Sequence, residues 1–378
     1  MSILLILSTI LVAYANGAND NFKGVATLFG SGTADYRRAL WWATITTFAG
    51  SVTAFFFASK LVKTFSGKGL VPDSLIANPD FLVAVAVGAS LTVLIAALTG
   101  IPISTTHGLT GALVGAGLMA IGPQQLGFNT LGKNFFIPLL LSPVFAVGAT
   151  IVIYSIFRFA RRQLGVTRKM CVCIGEKVIP VSSVACCEVG QLSASQLRFL
   201  DIMVDEQSVC QARAVEYYQG NLLGVGTQDI VDALHFLSAG AVSFARGLND
   251  TPKIVALCVT AKALGLQSSI VLVAFSIALG GVISARRVAE TMSHRITRMN
   301  HGQGFSANLI TAILVIFASK WGVPVSTTHV SCGSLFGIGL SNGKANWKVI
   351  GGIISAWVLT LPVAAAVAGV AYFVLRHI

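Results

Sequence analysis

The sequence predicts an all-α, polytopic membrane protein made of two repeats of inverted topology, with broken or re-entrant helices near the membrane midplane. Three observations predict it. The 378 residues are 54% hydrophobic and only 11% charged, well under the roughly 25% charged residues of a soluble domain. Apolar runs recur along the chain, several near the roughly 20 residues that a spanning helix needs. A polar motif also occurs twice among them: Gly-Ala-Asn-Asp-Asn-Phe-Lys at 17–23 and Gly-Leu-Asn-Asp-Thr-Pro-Lys at 247–253. Asn-Asp and Lys in such surroundings are costly and mark function.

Taken in order, the apolar runs of the first half lie at about 3–15, 24–30, 39–59, 81–98, 108–121 and 135–157. The second half repeats the series at about 233–245, 254–261, 268–284, 306–319, 330–340 and 349–375. The runs flanking the Asn-Asp motifs are short and interrupted by Gly, Pro or polar residues. Such paired, broken segments in two halves point to the binding site of a transporter. The duplication goes further. Gly50-Ser51-Val52 matches Gly280-Gly281-Val282 at an offset of 230, and Gly100-Ile-Pro-Ile-Ser-Thr-Thr-His107 matches Gly322-Val-Pro-Val-Ser-Thr-Thr-His329 at an offset of 222. Glycines stay in register afterwards, at Gly111/Gly333, Gly115/Gly337 and Gly117/Gly339. The domain division is therefore a first transmembrane repeat at 1–160, a polar cytoplasmic connecting segment at 161–232 and a second transmembrane repeat at 233–378. Residues 1–15 resemble the apolar core of a signal peptide but lack a basic leader and run into the first motif, so they read as mature protein.

In the connecting segment, 170–184 suggests a short β-hairpin and 193–218 an amphipathic helix. Five of the seven cysteines fall here (Cys171, Cys173, Cys186, Cys187, Cys210). They read as free thiols on the cytoplasmic side, with a metal or redox site as the alternative, since no secreted disulfide framework is apparent. The net charge of +12 lies mostly in connections, as expected of cytoplasmic loops facing anionic lipid rather than of a nucleic-acid binder. Arg37 and Arg38 place the loop 31–38 inside, and Arg286, Arg287, Arg295 and Arg298 place 285–304 inside. The repeat mate of 285–304 is 60–80, which falls outside, so the halves are expected to be inverted.

Asn19, Asp20, Asn249 and Asp250 carry hard oxygens suited to Na⁺, with Gly17 and Gly247 supplying freedom for a local helix break. Helix capping is the plainer role for such residues. Ser104, Thr105 and Thr106, like Ser326, Thr327 and Thr328, follow a helix-breaking proline and open a new helix. Free N–H groups and the positive end of the dipole suit an anion there, and hydroxyls add donors. A carboxylate pair would repel an anion unless cations lay between them, so the two motifs together predict cation-coupled symport. Lys23 and Lys253 fit pairing with Asp20 and Asp250 one turn away, or a reach toward the anion. His107 and His329 fit a structural hydrogen-bonding role, or proton coupling. Arg246 aligns with Asn16 and so suggests no symmetrical role. An intramembrane hydrolase is disfavoured: Gly-x-Ser-x-Gly is missing and every candidate nucleophile comes in pairs. No enzyme activity is expected.

The paired Gly-x-Asn-Asp and Pro-x-Ser-Thr-Thr-His motifs resemble the inorganic phosphate transporter (PiT) family across both halves. The resemblance implies a multi-pass symporter of the cell membrane, carrying phosphate with Na⁺ or H⁺ by alternating access, without other cofactors, and it allows a homodimer. Carried over by motif, it implies phosphate ligands at Ser104, Thr105, Thr106, Ser326, Thr327 and Thr328. The implied cation ligands are Asn19, Asp20, Asn249 and Asp250, with Lys23, Lys253, His107 and His329 in support. The first motif departs from the resemblance at Asn21-Phe22-Lys23-Gly24, where many members carry Val-Ala-Asn-Ala. The alternatives are a sulfate permease of the same architecture and, in another class, an anion channel.

Overall fold

The computed structural model describes residues 2–57, 59–163, 170–180, 196–206 and 223–377. Its principal helices are α1 (Ser2–Asp20), α2 (Ala26–Ser31), α3 (Tyr36–Phe57), α4 (Pro79–Thr99), α5 (Thr105–Ile121), α6 (Ile137–Gln163), α7 (Thr227–Thr260), α8 (Leu266–Ser284), α9 (His301–Trp321), α10 (Thr327–Asn342) and α11 (Trp347–His377). Among the described residues, seven helical segments are long and apolar enough to cross a membrane. Helix α5, with 17 residues, and α10, with 16, are shorter than a span. Large apolar side chains such as Phe56, Leu140, Phe275 and Val358 are exposed, as lipid-facing positions require.

One compact unit comprises residues 1–155 and 235–378. In it the two halves interlock helix by helix. A β-carbon on Gly17 of α1 would lie 2.0 Å from the Ile277 carbonyl oxygen of α8, and one on Gly280 of α8 would lie 2.0 Å from that of Tyr14. The same contact recurs with the halves exchanged, between Gly247 of α7 and Thr47 of α3 (2.1 Å) and between Gly50 of α3 and Phe244 of α7 (2.0 Å). The later helices repeat the exchange. Gly111 and Gly115 of α5 meet Leu361 and Ala365 of α11, while Gly333 and Gly337 of α10 meet Pro143 and Val147 of α6. In lipid, where the hydrophobic effect does not drive helices together, small residues that bring backbones close are the main source of association. The repeats thus pack chiefly on each other, which brings their motifs together.

Gly17 and Gly247 accordingly do a different job from the one their sequence suggests. Helix α1 runs unbroken through Gly17 to Asp20 before one 3-10 turn at Asn21–Gly24, and α7 runs unbroken through Gly247 and Pro252. The glycines admit a neighbouring backbone rather than loosen their own. The stops before the hydroxyl motifs also lie two residues earlier than the prolines. Gly100 (φ 75°) and Gly322 (φ 74°) cap α4 and α9 in the left-handed conformation that favours glycine. The basic loops 31–38 and 285–304 are in contact through Arg286 over Tyr36, and Phe29, just before the first loop, packs on His294 (ring centroids 4.6 Å apart).

The second unit, residues 156–234, carries a three-stranded antiparallel sheet. Its strands are β1 (Met170–Pro180), β2 (Gln196–Glu206) and β3 (Leu223–Gly226), with β1 in the centre. Register runs from Met170 opposite Glu206 to Pro180 opposite Gln196. This corrects two expectations. Residues 170–180 form one strand whose partners come from later in the chain, not a local hairpin. Residues 196–206 are strand, not amphipathic helix, because a partner was available to complete their backbone hydrogen bonds and Phe199, Ile202 and Val204 suit a sheet. The remainder of both expectations, with Cys186, Cys187 and Cys210, lies outside the described residues.

Candidate functional site

Every polar residue singled out from the repeated motifs is buried in the first unit. Ser104 and Ser326 cap α5 and α10. Each has φ −96° and ψ 116°, and each hydroxyl accepts a hydrogen bond from a backbone N–H, of His107 (3.1 Å) and His329 (3.2 Å). The first turns of α5 and α10 therefore begin at the hydroxyl motifs, and Thr105, Thr106, Thr327 and Thr328 stand at the positive ends of the two helices.

The lysines tie the copies together. Lys23 pairs with Asp20 in its own motif. Its ammonium also donates to Asn19 Oδ1 (2.7 Å), to the Ile103 carbonyl (2.8 Å) and, across the repeats, to Thr328 Oγ1 (2.6 Å). Lys253 makes the matching set: Asp250 Oδ1 (3.2 Å), the Val325 carbonyl (2.9 Å) and Thr106 Oγ1 (2.8 Å). Thr328 donates to the Ile103 carbonyl (2.9 Å), and Thr106 to that of Val325 (3.4 Å). Each lysine thus pairs with its own aspartate and contacts the hydroxyl motif of the other half.

The carboxylates have further partners as well. Asp20 Oδ2 accepts from Thr105 Oγ1 (3.2 Å) and Asn16 Nδ2 (3.1 Å). Asp250 accepts from Thr327 Oγ1 (3.4 Å), Asn249 Nδ2 (3.1 Å) and Asn16 Nδ2 (3.3 Å). Asn19 bridges to the approach of α5, donating to the Ile101 carbonyl (3.0 Å) and accepting from the Ile103 N–H (3.2 Å). Asn249 donates to the Val325 carbonyl (3.2 Å) and accepts from Ser319 (3.2 Å).

Arg246 and Asn16, aligned positions in the two copies, are the residues whose part the symmetry argument missed. Arg246 is 1% exposed. Its guanidinium donates to Asn16 Oδ1 (3.1 Å) and Asn21 Oδ1 (3.2 Å), and its Nε lies 3.8 Å from Asp250. The available signal was a charge inside an apolar run, which is informative with or without a mate. Three basic side chains, Lys23, Arg246 and Lys253, thus face two acidic ones, Asp20 and Asp250, a formal excess of one positive charge in the buried cluster.

His107 and His329 lie beside this cluster, with ring centroids 4.4 Å apart. His329 Nδ1 is 3.3 Å from the Leu139 carbonyl, while His107 Nδ1 and His329 Nε2 have no hydrogen-bond partner. The His329 ring also packs on Trp357 (3.9 Å), whose indole N–H donates to the Pro102 carbonyl (3.1 Å).

Lipid-facing helices wrapped around a buried, duplicated polar cluster define a multi-pass integral membrane transporter, not an enzyme. Residues 16–368 match the phosphate transporter family, and the chain belongs to that family. A Pyrococcus horikoshii protein whose assigned name is that of a phosphate permease is 30% identical over 98% of this chain and 97% of its own length. The inorganic phosphate transporter 2-1, chloroplastic, of Arabidopsis thaliana is 26% identical over 94% of this chain and 69% of its own. A solved structure titled the sodium-dependent phosphate transporter superposes with a TM-score of 0.73 over 100% of this chain and 99% of that one, at 21% identity. That last likeness is one of fold.

Proposed function

We propose that the chain carries inorganic phosphate across the cell membrane as a symporter, by alternating access, with a cation, Na⁺ or H⁺, as the coupling ion. The observation that carries this reading is the convergence of two helix N-termini, six motif hydroxyls and three basic side chains on one buried cluster with positive charge in excess. A buried cluster of that sign gains from an anion, and a helix start with flanking hydroxyls matches the oxygens of a tetrahedral one. The phosphate ligands in this reading are Ser104, Thr105, Thr106, Ser326, Thr327 and Thr328. On arrival the anion takes over hydrogen bonds that the lysines, carboxylates and backbone now make to the threonines. The halves are inverted in this reading; contact between the basic loops 31–38 and 285–304, through Arg286 over Tyr36, supports it, since charge assigns both to one side.

Phosphate is favoured over sulfate by Asp20 and Asp250. A protonated phosphate donates a hydrogen bond to a carboxylate, whereas sulfate at neutral pH has no proton to donate. Neutralising the cluster favours reorientation, because a charge buried between moving halves is costly. The test is counterflow in proteoliposomes: internal unlabelled phosphate should accelerate entry of labelled phosphate, and internal sulfate should not. Entry that ignores internal phosphate would indicate a channel, and no entry under any gradient would overturn the reading.

A further inference from the structure

The oxygen cages that the sequence assigns to Na⁺ are already furnished with cations by the chain. The Lys23 ammonium sits among an amide oxygen (Asn19), a carboxylate (Asp20), a backbone carbonyl (Ile103) and a hydroxyl (Thr328). That is the mixed set of hard oxygens a small hard cation selects. The Lys253 ammonium sits among a carboxylate (Asp250), a carbonyl (Val325) and a hydroxyl (Thr106), one acceptor for each of its three protons. Both lysines are 2% exposed.

Taking the phosphate reading as given, we propose that the ammonium groups of Lys23 and Lys253 stand in place of coupling Na⁺ ions, so that phosphate crosses without requiring or carrying Na⁺. Two physical arguments support this. First, Na⁺ would have to displace an ammonium tethered to the same turn of helix, whose effective concentration at the cage no free ion matches. The displaced ammonium would then lose its carboxylate in a buried setting, where an unpaired charge is severely destabilising. Second, Na⁺ could not join the lysine instead. Each cage has one carboxylate, and Asp250 already has Arg246 3.8 Å away as a second cation. A further positive charge would deepen an excess that the cluster already has. The counter-charge that an anion meets here is thus covalently part of the chain and stays behind when phosphate leaves, which leaves H⁺ as the coupling ion of the symport.

The test uses the full-length protein in proteoliposomes, with labelled phosphate in sodium medium and in choline medium. Expected are counterflow and net uptake equal within about twofold in the two media, and no labelled Na⁺ entering with phosphate. Uptake stimulated tenfold or more by Na⁺, or labelled Na⁺ entering in proportion to phosphate, would overturn the proposal while leaving phosphate transport intact. Absence of counterflow in both media would instead remove the phosphate reading on which it rests. A second arm uses Lys23→Asn, checked for monodisperse elution. Freed of its ammonium, the first cage should now give Na⁺-stimulated uptake. A folded Lys23→Asn protein with wild-type, Na⁺-indifferent uptake would deny Lys23 the role of resident cation, and if the variant does not fold the wild-type comparison decides.

Discussion

The two copies of the motif agree where they face each other and differ at the residue just before each, Asn16 and Arg246. In both, a serine caps the hydroxyl helix, a lysine pairs with the aspartate three residues before it, and that lysine contacts a threonine of the opposite half. The difference is Arg246 against Asn16. Within 4 Å the first copy has one buried cation on its aspartate, and the second has two. What is shared is the geometry by which each half completes the other. What differs is charge, and the asymmetry leaves the cluster suited to an anion.

The comparison can be broken most forcefully at the carboxylates. Removing one partner from a buried ion pair costs about 3–5 kcal/mol. Asp20→Asn strands Lys23, whereas Asp250→Asn strands Lys253 and Arg246 together, so the second should lower the melting temperature further, and both should abolish uptake. Equal melting losses would mean that Arg246 draws little from Asp250. Next come the glycines of close approach. Gly17→Ala and Gly247→Ala each force a methyl against a carbonyl oxygen, at 2.0 and 2.1 Å, and overpacking costs about 1–3 kcal/mol. The two variants should destabilise alike in a detergent melt, whereas Gly132→Ala, which meets nothing within 4 Å, should not destabilise by this route. Thr328→Val and Thr106→Val each remove a hydroxyl that, in the phosphate reading, the anion takes over from a lysine of the other half. A hydrogen bond to a charged group is worth about 1.5–3 kcal/mol, so KM for phosphate should rise by at least tenfold in both. A rise in only one would place the anion against a single copy. The smallest effect is at the caps: Ser104→Ala and Ser326→Ala should each cost about 1 kcal/mol of stability, and equally.

Much of this was legible because duplication turns an isolated oddity into a pattern. Asn-Asp or Ser-Thr-Thr alone is an ordinary helix cap, and two copies at fixed offsets identify the elements that pack together. Spans were legible from hydropathy, since a membrane helix satisfies its own backbone and leaves an apolar exterior. What escaped were features with no mate. Arg246 and Asn16 have different chemistries at aligned positions, so a search for symmetry discounts them, although burial makes them central. Gly17 and Gly247 were legible as special but not in kind, because loosening a helix and admitting a neighbour call for the same residue. The strand at 196–206 was missed for a more general reason: strand pairing is non-local, and the partner of Gln196 is Pro180.

The central claim is that the two copies form one site rather than two. Equilibrium binding of labelled phosphate to the purified protein tests it directly, with wild type, Thr106→Val, Thr328→Val and the double variant compared. A single site predicts one phosphate per chain, weakened by either substitution. Two phosphates per chain, each lost with its own threonine, would contradict it.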